Sequence, residues 1–140
     1  MSETDVNEMN RGVIAEFRAS GGKVTGRFGG VNLLLLTTTG AKTSARRVNP
    51  LMYVMDGERF VIFASKRGAP TNPDWYHNLV TQPEVTVEVG GETFPARAVV
   101  TSAEERRRIF DAAALQYPFL VDLQAGTSRR IPVIALERGG

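Results

Sequence analysis

Val48-Asn-Pro-Leu-Met-Tyr-Val-Met-Asp-Gly-Glu-Arg-Phe-Val-Ile-Phe-Ala64 decides the fold. It reads as a strand over Val48 to Met55, a tight turn at Asp56-Gly57, and a second strand over Arg59 to Ala64. Asp-Gly between two apolar runs is a strong hairpin signal, because those residues tolerate the positive φ that such a turn requires. Upstream, Val31 to Thr38 is another strand-sized apolar run. Downstream, Glu84 to Val89 and Glu92 to Thr101 read as strands joined at Gly90-Gly91, and Ile131 to Glu137 as the last strand. Six strands, mostly linked by tight turns, predict a mainly β domain with an antiparallel sheet able to close into a barrel.

Helices flank these strands. Val6, Met9, Val13, Ile14 and Phe17 recur near helical spacing, so a first amphipathic helix is expected over Val6 to Ala19. Asn72 as N-cap with Pro73 in the first turn predicts a short helix from Pro73 to Val80. Trp75 and Tyr76, with Leu79 and Val80 a turn later, are expected to belong to the core. Ser102-Ala-Glu-Glu105 has the form of a capping box and opens a helix running to Gln116. A loop is expected from Tyr117 to Arg130.

The chain of 140 residues is read as one domain, 1–140, with 1–30 forming the N-terminal helix and a Gly-rich link. It is 42% hydrophobic and 23% charged, the composition of an ordinary soluble globule. No apolar run approaches the length of a membrane span, and the N-terminus lacks the features of a secretory signal. Without cysteine there is no disulfide, thiolate nucleophile or sulfur-ligated metal. A cytoplasmic address is expected, with membrane association left open. A net charge of +2 argues against general nucleic-acid binding.

Charge is instead concentrated locally. No Asp or Glu occurs from Thr37 to Met55, nor from Phe60 to Pro73. Lys42, Arg46, Arg47, Lys66 and Arg67 lie on two turn-rich loops among Thr, Ser and Gly. Cations, hydroxyls and free backbone N–H groups together suit a small, heavily anionic ligand. The Gly-Lys-Ser/Thr ending of a phosphate-binding P-loop is absent. No Gly-x-Ser-x-Gly, His-Glu-x-x-His or paired-carboxylate pattern appears, so no catalytic residue or metal site is assigned. His77, near Asp74, reads as a surface residue. Chemistry carried by a bound cofactor is the expectation.

Four segments, Leu34-Leu-Leu-Thr-Thr-Thr-Gly-Ala-Lys-Thr43, Arg47-Val-Asn-Pro-Leu51, Ala64-Ser-Lys66 and Asn72-Pro-Asp-Trp-Tyr-His-Asn-Leu79, closely resemble the deazaflavin-dependent nitroreductase and quinone reductase family. Thr127-Ser-Arg-Arg-Ile-Pro-Val133 resembles it too. The likeness runs from about Leu33 to Val133. It implies a split β-barrel, akin to the FMN-binding split barrels, that binds coenzyme F420, a deazaflavin with a ribityl phosphodiester and an oligoglutamate tail. Ala41, Lys42, Thr43, Arg47 and Lys66 would hold the anionic part. Val48, Asn49, Pro50, Leu51, Met52, Phe63, Ala64 and Ser65 would line the ring system, with Asp74, Trp75, Tyr76, His77 and Asn78.

The implied activity is hydride transfer from the reduced deazaflavin to a quinone or nitroaromatic acceptor. In the family a tyrosine-rich segment follows the long helix and contacts the substrate. Here Tyr117 is the candidate substrate contact, and Phe119, Leu120 and Leu123 make an apolar lid suited to a hydrophobic quinone. A non-enzymatic deazaflavin or flavin binder, and an FMN-dependent split-barrel reductase, are the alternatives. The expected partner is a quinone or other hydrophobic electron acceptor, with no nucleic acid and no transmembrane segment. Peripheral membrane contact and a homodimer are left open.

Overall fold

The apolar run from Val48 to Met55 changes partners halfway. The computed structural model describes residues 3–22, 32–66 and 69–139, and side chains from residue 10 onward. In it, Leu33–Thr39 (β1) pairs antiparallel with Arg46–Met52 (β2), from Leu33 opposite Met52 to Thr39 opposite Arg46. At Tyr53, whose N–H donates to the Asn32 carbonyl at 3.0 Å, the chain leaves β1. It resumes as Val54–Asp56 (β3), which pairs with Arg59–Phe63 (β4) across Gly57, at φ 62°. The expected Asp-Gly hairpin is therefore present. Among the described residues the sheet has seven strands, where six were expected, because the expected second strand divides at Tyr53.

Glu84–Val89 (β5), Glu92–Val100 (β6) and Val133–Arg138 (β7) complete one antiparallel sheet in the order β2-β1-β5-β6-β7-β4-β3. Its two edge strands, β2 and β3, are consecutive in the chain with Tyr53 alone between them. An open, flat sheet of this order would hold them a full sheet-width apart, so the sheet must curl until its edges meet. The result is a split β-barrel. Pro50 lies on an edge strand, where its missing N–H costs the ladder nothing.

Burial on both faces explains the four consecutive leucines, Leu33 to Leu36, that open β1. Leu34 and Leu36 point into a cluster with Ile62, Trp75, Leu79, Val87, Phe94, Ile134 and Leu136. Leu33 and Leu35 point outward, beneath Val13 and Phe17 of the N-terminal helix, Glu3–Ala19 (α1). A strand buried on both faces cannot alternate with polar residues. α1 is further tied to β5 by Arg18, whose guanidinium meets the Glu88 carboxylate at 2.8 Å. Val6 and Met9 side chains, the link Gly26 to Gly30 and the expected strand start at Val31 lie outside the described residues.

Asp74–Thr81 (α2) plugs the barrel with Trp75 and Leu79. Its N-cap is Pro73, without a side-chain cap, which corrects the expectation for Asn72. The Asn72 side chain instead accepts a bond from Arg129. Ala103–Gln116 (α3) starts as its capping box predicts, with the Ser102 hydroxyl accepting from the Glu105 N–H at 3.2 Å. Where a loop was expected from Tyr117 to Arg130, residues Phe119–Ala125 form a further helix (α4). Pro118 as its N-cap disguises this start, since no Ser, Thr, Asp or Asn signals it. Leu120, fully buried beside Val61, Phe63, Ile109, Phe110 and Ile131, is what fixes α4 in place.

Candidate functional site

The first basic loop is a closed turn. Gly40 donates to the Ala45 carbonyl at 2.7 Å, and Ser44 donates back to Gly40 at 3.0 Å. A side chain at Gly40 would bring its Cβ to 2.9 Å from Thr43 Oγ1 and 3.1 Å from the Ala45 carbonyl, so a larger residue there would push on the turn. Ser44 takes φ 59°. The Ala41 N–H donates to Asn78 Oδ1 at 3.0 Å, and Asn78 Nδ2 donates to Thr38 Oγ1 at 3.2 Å. Thr38 and Asn78 are the buried polar residues of the described chain, and each is satisfied by the other. Asn78 thus fastens the β1–β2 turn to α2.

Register separates the neighbouring arginines. Arg47 lies opposite Thr38 and shares its face, the face turned toward α2. Arg46 lies on the other face, where it reaches Thr86 Oγ1 at 3.5 Å. The same alternation divides the expected ring lining. Leu51 joins the barrel cluster, Val48 packs beneath α1, and Met52 packs against the α3–α4 cluster. The side chains of Val48, Asn49, Pro50, Leu51 and Met52 therefore do not share one surface.

The second loop descends from β4. Phe63 is buried toward α3 and α4, Ala64 toward the barrel, Ser65 is half-buried and Lys66 exposed. Lys66 takes φ 45° and its Nζ donates to Thr71 Oγ1 at 3.2 Å. Arg67 and Gly68 lie outside the described residues. The loop then enters α2, on which Asp74 and His77 are exposed, Tyr76 is half-buried and Trp75 is buried. The Tyr76 and His77 rings meet edge to face, 5.7 Å apart.

Both loops therefore attach to one short helix. The first is held at Asn78 and the second runs into Asp74, about one turn of α2 away, roughly 6 Å along its axis. Lys42, Arg47 and Lys66 belong to these two loops and their strands, all are exposed, and among the described residues none of them makes an ion pair. Some cations elsewhere are spent on carboxylates. Arg59 is bonded to Asp56 and Glu105 at 2.8 Å each, and Arg108 to Asp56 at 2.9 Å. Those two arginines, Arg108 more than Arg59, hold the Asp56 carboxyl down at about 2. Unspent cations gathered around hydroxyls and N–H groups fit a ligand with several negative charges.

The expected acceptor residues gather at the α3–α4 corner. Tyr117 is half-buried, its ring 5.9 Å from Phe119, and Leu123 is half-buried. Leu120 is a core residue and presents no surface to a substrate. Tyr53 emerges beside this corner without having been anticipated. Burial first, and the proximity of Tyr117 second, raise its phenol above its ordinary value, so it stays protonated at neutral pH. Arg129 was also missed, though its motif was in view. A hollow of about 470 Å³ lies elsewhere, lined by residues such as Arg106, Arg107, Phe110 and Arg130, none of them expected at the site.

Residues 9–138 match the family model described as F420H(2)-dependent quinone reductase. An F420H(2)-dependent quinone reductase of Mycobacterium tuberculosis is 39% identical over 131 residues, 89% of this chain and 86% of that protein. The solved structure of an F420-H2 dependent reductase is 38% identical, with a TM-score of 0.68, covering 75% of this chain and 93% of the other. A second solved structure, described as a domain-swapped dimer, is 35% identical, with a TM-score of 0.71 over 97% of this chain and all of its own.

Proposed function

The chain belongs to the F420H(2)-dependent quinone reductase family, and from that premise we propose how its own residues serve the reaction. Membership makes it an oxidoreductase with coenzyme F420 as cofactor and a quinone as the acceptor class. When bound, the cofactor supplies the hydride. Lys42 and Arg47 from the first loop and its strand, and Lys66 from the second, hold its phosphate and oligoglutamate charges. The observation that carries this reading is the attachment of both loops to α2, one through Asn78 and one through Asp74.

Beyond charge, the protein's part is orientation and exclusion of water. No side chain needs to form a covalent bond, so holding two reactants face to face is the main catalytic contribution. Trp75 and Leu79, sunk into the barrel, keep α2 from shifting as ligand binds. Tyr117, Phe119 and Leu123 offer the quinone an apolar surface at the α3–α4 corner. Tyr53, with its proton retained, is a hydrogen-bond donor beside them.

Side-by-side titrations with F420 and FMN test the reading, followed by turnover of reduced F420 with menadione. F420 binding in the micromolar range together with menadione-dependent oxidation is expected. Binding without turnover would favour a storage role, and preference for FMN would overturn the cofactor.

No helix of the described chain is long and apolar enough to cross a membrane. A quinone held in a bilayer would then have to be met at its surface. Leu115, 87% exposed, and Phe119 and Val121 are exposed apolar side chains on α3 and α4, and brief membrane contact through them is part of the proposal. Self-association is proposed on the likeness to the domain-swapped dimer, and light scattering across a range of concentrations tests it.

A further inference from the structure

Arg129 spends its guanidinium in an unusual way. Its Nε donates to the Ala69 carbonyl at 2.9 Å, and one terminal nitrogen donates to the Ala64 carbonyl at 2.9 Å and to Asn72 Oδ1 at 2.8 Å. The other donates to the Ser65 carbonyl at 2.6 Å. All these acceptors belong to the segment 64–72, the loop that carries Lys66. The Thr127 hydroxyl adds a weaker bond to the Ala69 carbonyl at 3.4 Å. Among the described residues no carboxylate pairs with Arg129, and burial lowers its pKa from the ordinary value.

A planar fork of donors aimed at three carbonyls of one loop fixes the direction of that backbone. With the carbonyls of Ala64, Ser65 and Ala69 turned in toward Arg129, the chain passes through Lys66 in a left-handed conformation at φ 45°. A lysine rarely holds such a conformation unless its surroundings impose it. The Arg129 carbonyl is itself held, accepting from Gln124 Nε2 at 2.7 Å. Gln124 Oε1 accepts from the Ile131 N–H at 3.0 Å and from Arg106 at 2.9 Å, which joins the fork to α3 and α4.

We propose that Arg129 is the positioning residue of the cofactor loop: its fork shapes residues 64–66 and 69–72 so that Lys66 faces the anionic ligand, and Gln124 keys that loop to the helix bearing the acceptor corner. The inference rests on the cofactor reading above. It adds that the loop's grip depends on a residue that touches neither cofactor nor acceptor.

Hydrogen exchange by mass spectrometry on wild type, Arg129→Ala and Arg129→Lys provides the test, beside F420 titration and menadione kinetics. In Arg129→Ala, exchange over 64–72 should speed up roughly tenfold, the scale of one lost charge-assisted bond, while 40–47 exchanges as in wild type. F420 affinity should fall by about the same factor, with KM for menadione little changed. Arg129→Lys should recover only part of the affinity, since an ammonium cannot reproduce the fork. Added guanidinium at millimolar concentration should restore part of it to Arg129→Ala. Unchanged exchange over 64–72, or equal acceleration along the whole chain, overturns the proposal. Should wild type itself fail to bind F420, the cofactor reading falls, and exchange at 64–72 still decides whether Arg129 shapes the loop.

Discussion

Replacing Asn78 with alanine should destabilise the fold far more than removal of one polar side chain normally does. Two hydrogen bonds disappear, from the Ala41 N–H at 3.0 Å and to Thr38 Oγ1 at 3.2 Å. They differ in consequence. Ala41 is exposed and water replaces its lost acceptor, so that bond is worth about 0.5–1.5 kcal/mol. Thr38 is 1% exposed, and its hydroxyl is left with a partner removed and little access to solvent, which costs about 1–3 kcal/mol. The sum is roughly 2–4 kcal/mol. At about 2–4 °C per kcal/mol for a chain of this size, the melting midpoint should drop by very roughly 8 °C. Circular dichroism melts of wild type, Asn78→Ala, Thr38→Val and the double variant measure it. The two sites are in contact, so the double variant should lose about 1 kcal/mol less than the singles together. A midpoint for Asn78→Ala within about a degree of wild type, or strict additivity, would refute the claim that this pair fastens the turn to α2.

Lys66→Ala should weaken F420 binding by roughly 1–3 kcal/mol, read by fluorescence titration, and wild-type affinity would remove the residue from the anion site. Asp56 is held at about 2 against an ordinary 3.8, so its stabilising effect is complete above 3.8 and fades as pH falls through about 2. The carboxylate sits near solvent, so the effect is about 1 kcal/mol, and Asp56→Asn should lower stability by about that much near neutrality and flatten the acid limb, the difference from wild type vanishing as pH falls through about 2. Leu115→Ser combined with Phe119→Ser should leave the melting midpoint nearly unchanged, since both are exposed, yet reduce co-sedimentation with anionic vesicles. Equal sedimentation of variant and wild type would end the membrane-contact reading.

What the sequence disclosed follows from how local each signal is. Asp56-Gly57 and the Ser102 capping box are decided within four residues, and both appear as expected. The split at Tyr53 was hidden because apolar alternation continues smoothly across it. Only the demand that β2 and β3 pair at opposite edges of one sheet reveals the corner. The helix α4 was concealed by Pro118 and held in place by the distant contacts of Leu120. At the site, the basic loops were visible as an absence of acid, and the second could be seen to enter the short helix, but the fastening of the first to α2 could not. Asn78 acts through partners 37 and 40 residues away, and Arg129 through partners up to 65 away. Spacing along the chain carries no trace of either.

Holding unpaired cations around one short helix is unfavourable until an anion arrives, so other interactions must keep them there. α2 supplies the common support. Its apolar side, Trp75 and Leu79, is fixed by the barrel, which the edge-to-edge join at Tyr53 keeps closed. Its polar side holds one loop through a neutral amide, Asn78. The other loop is shaped by Arg129, a cation that bonds carbonyls rather than a carboxylate. Neutral fastenings serve this purpose better than ion pairs would, because an acidic residue in either loop would neutralise the charge the ligand needs. The absence of Asp and Glu from both loops and the use of amide, hydroxyl and carbonyl contacts to hold them are therefore two sides of one physical requirement. The cations are positioned in advance, and binding energy need not be spent on ordering them.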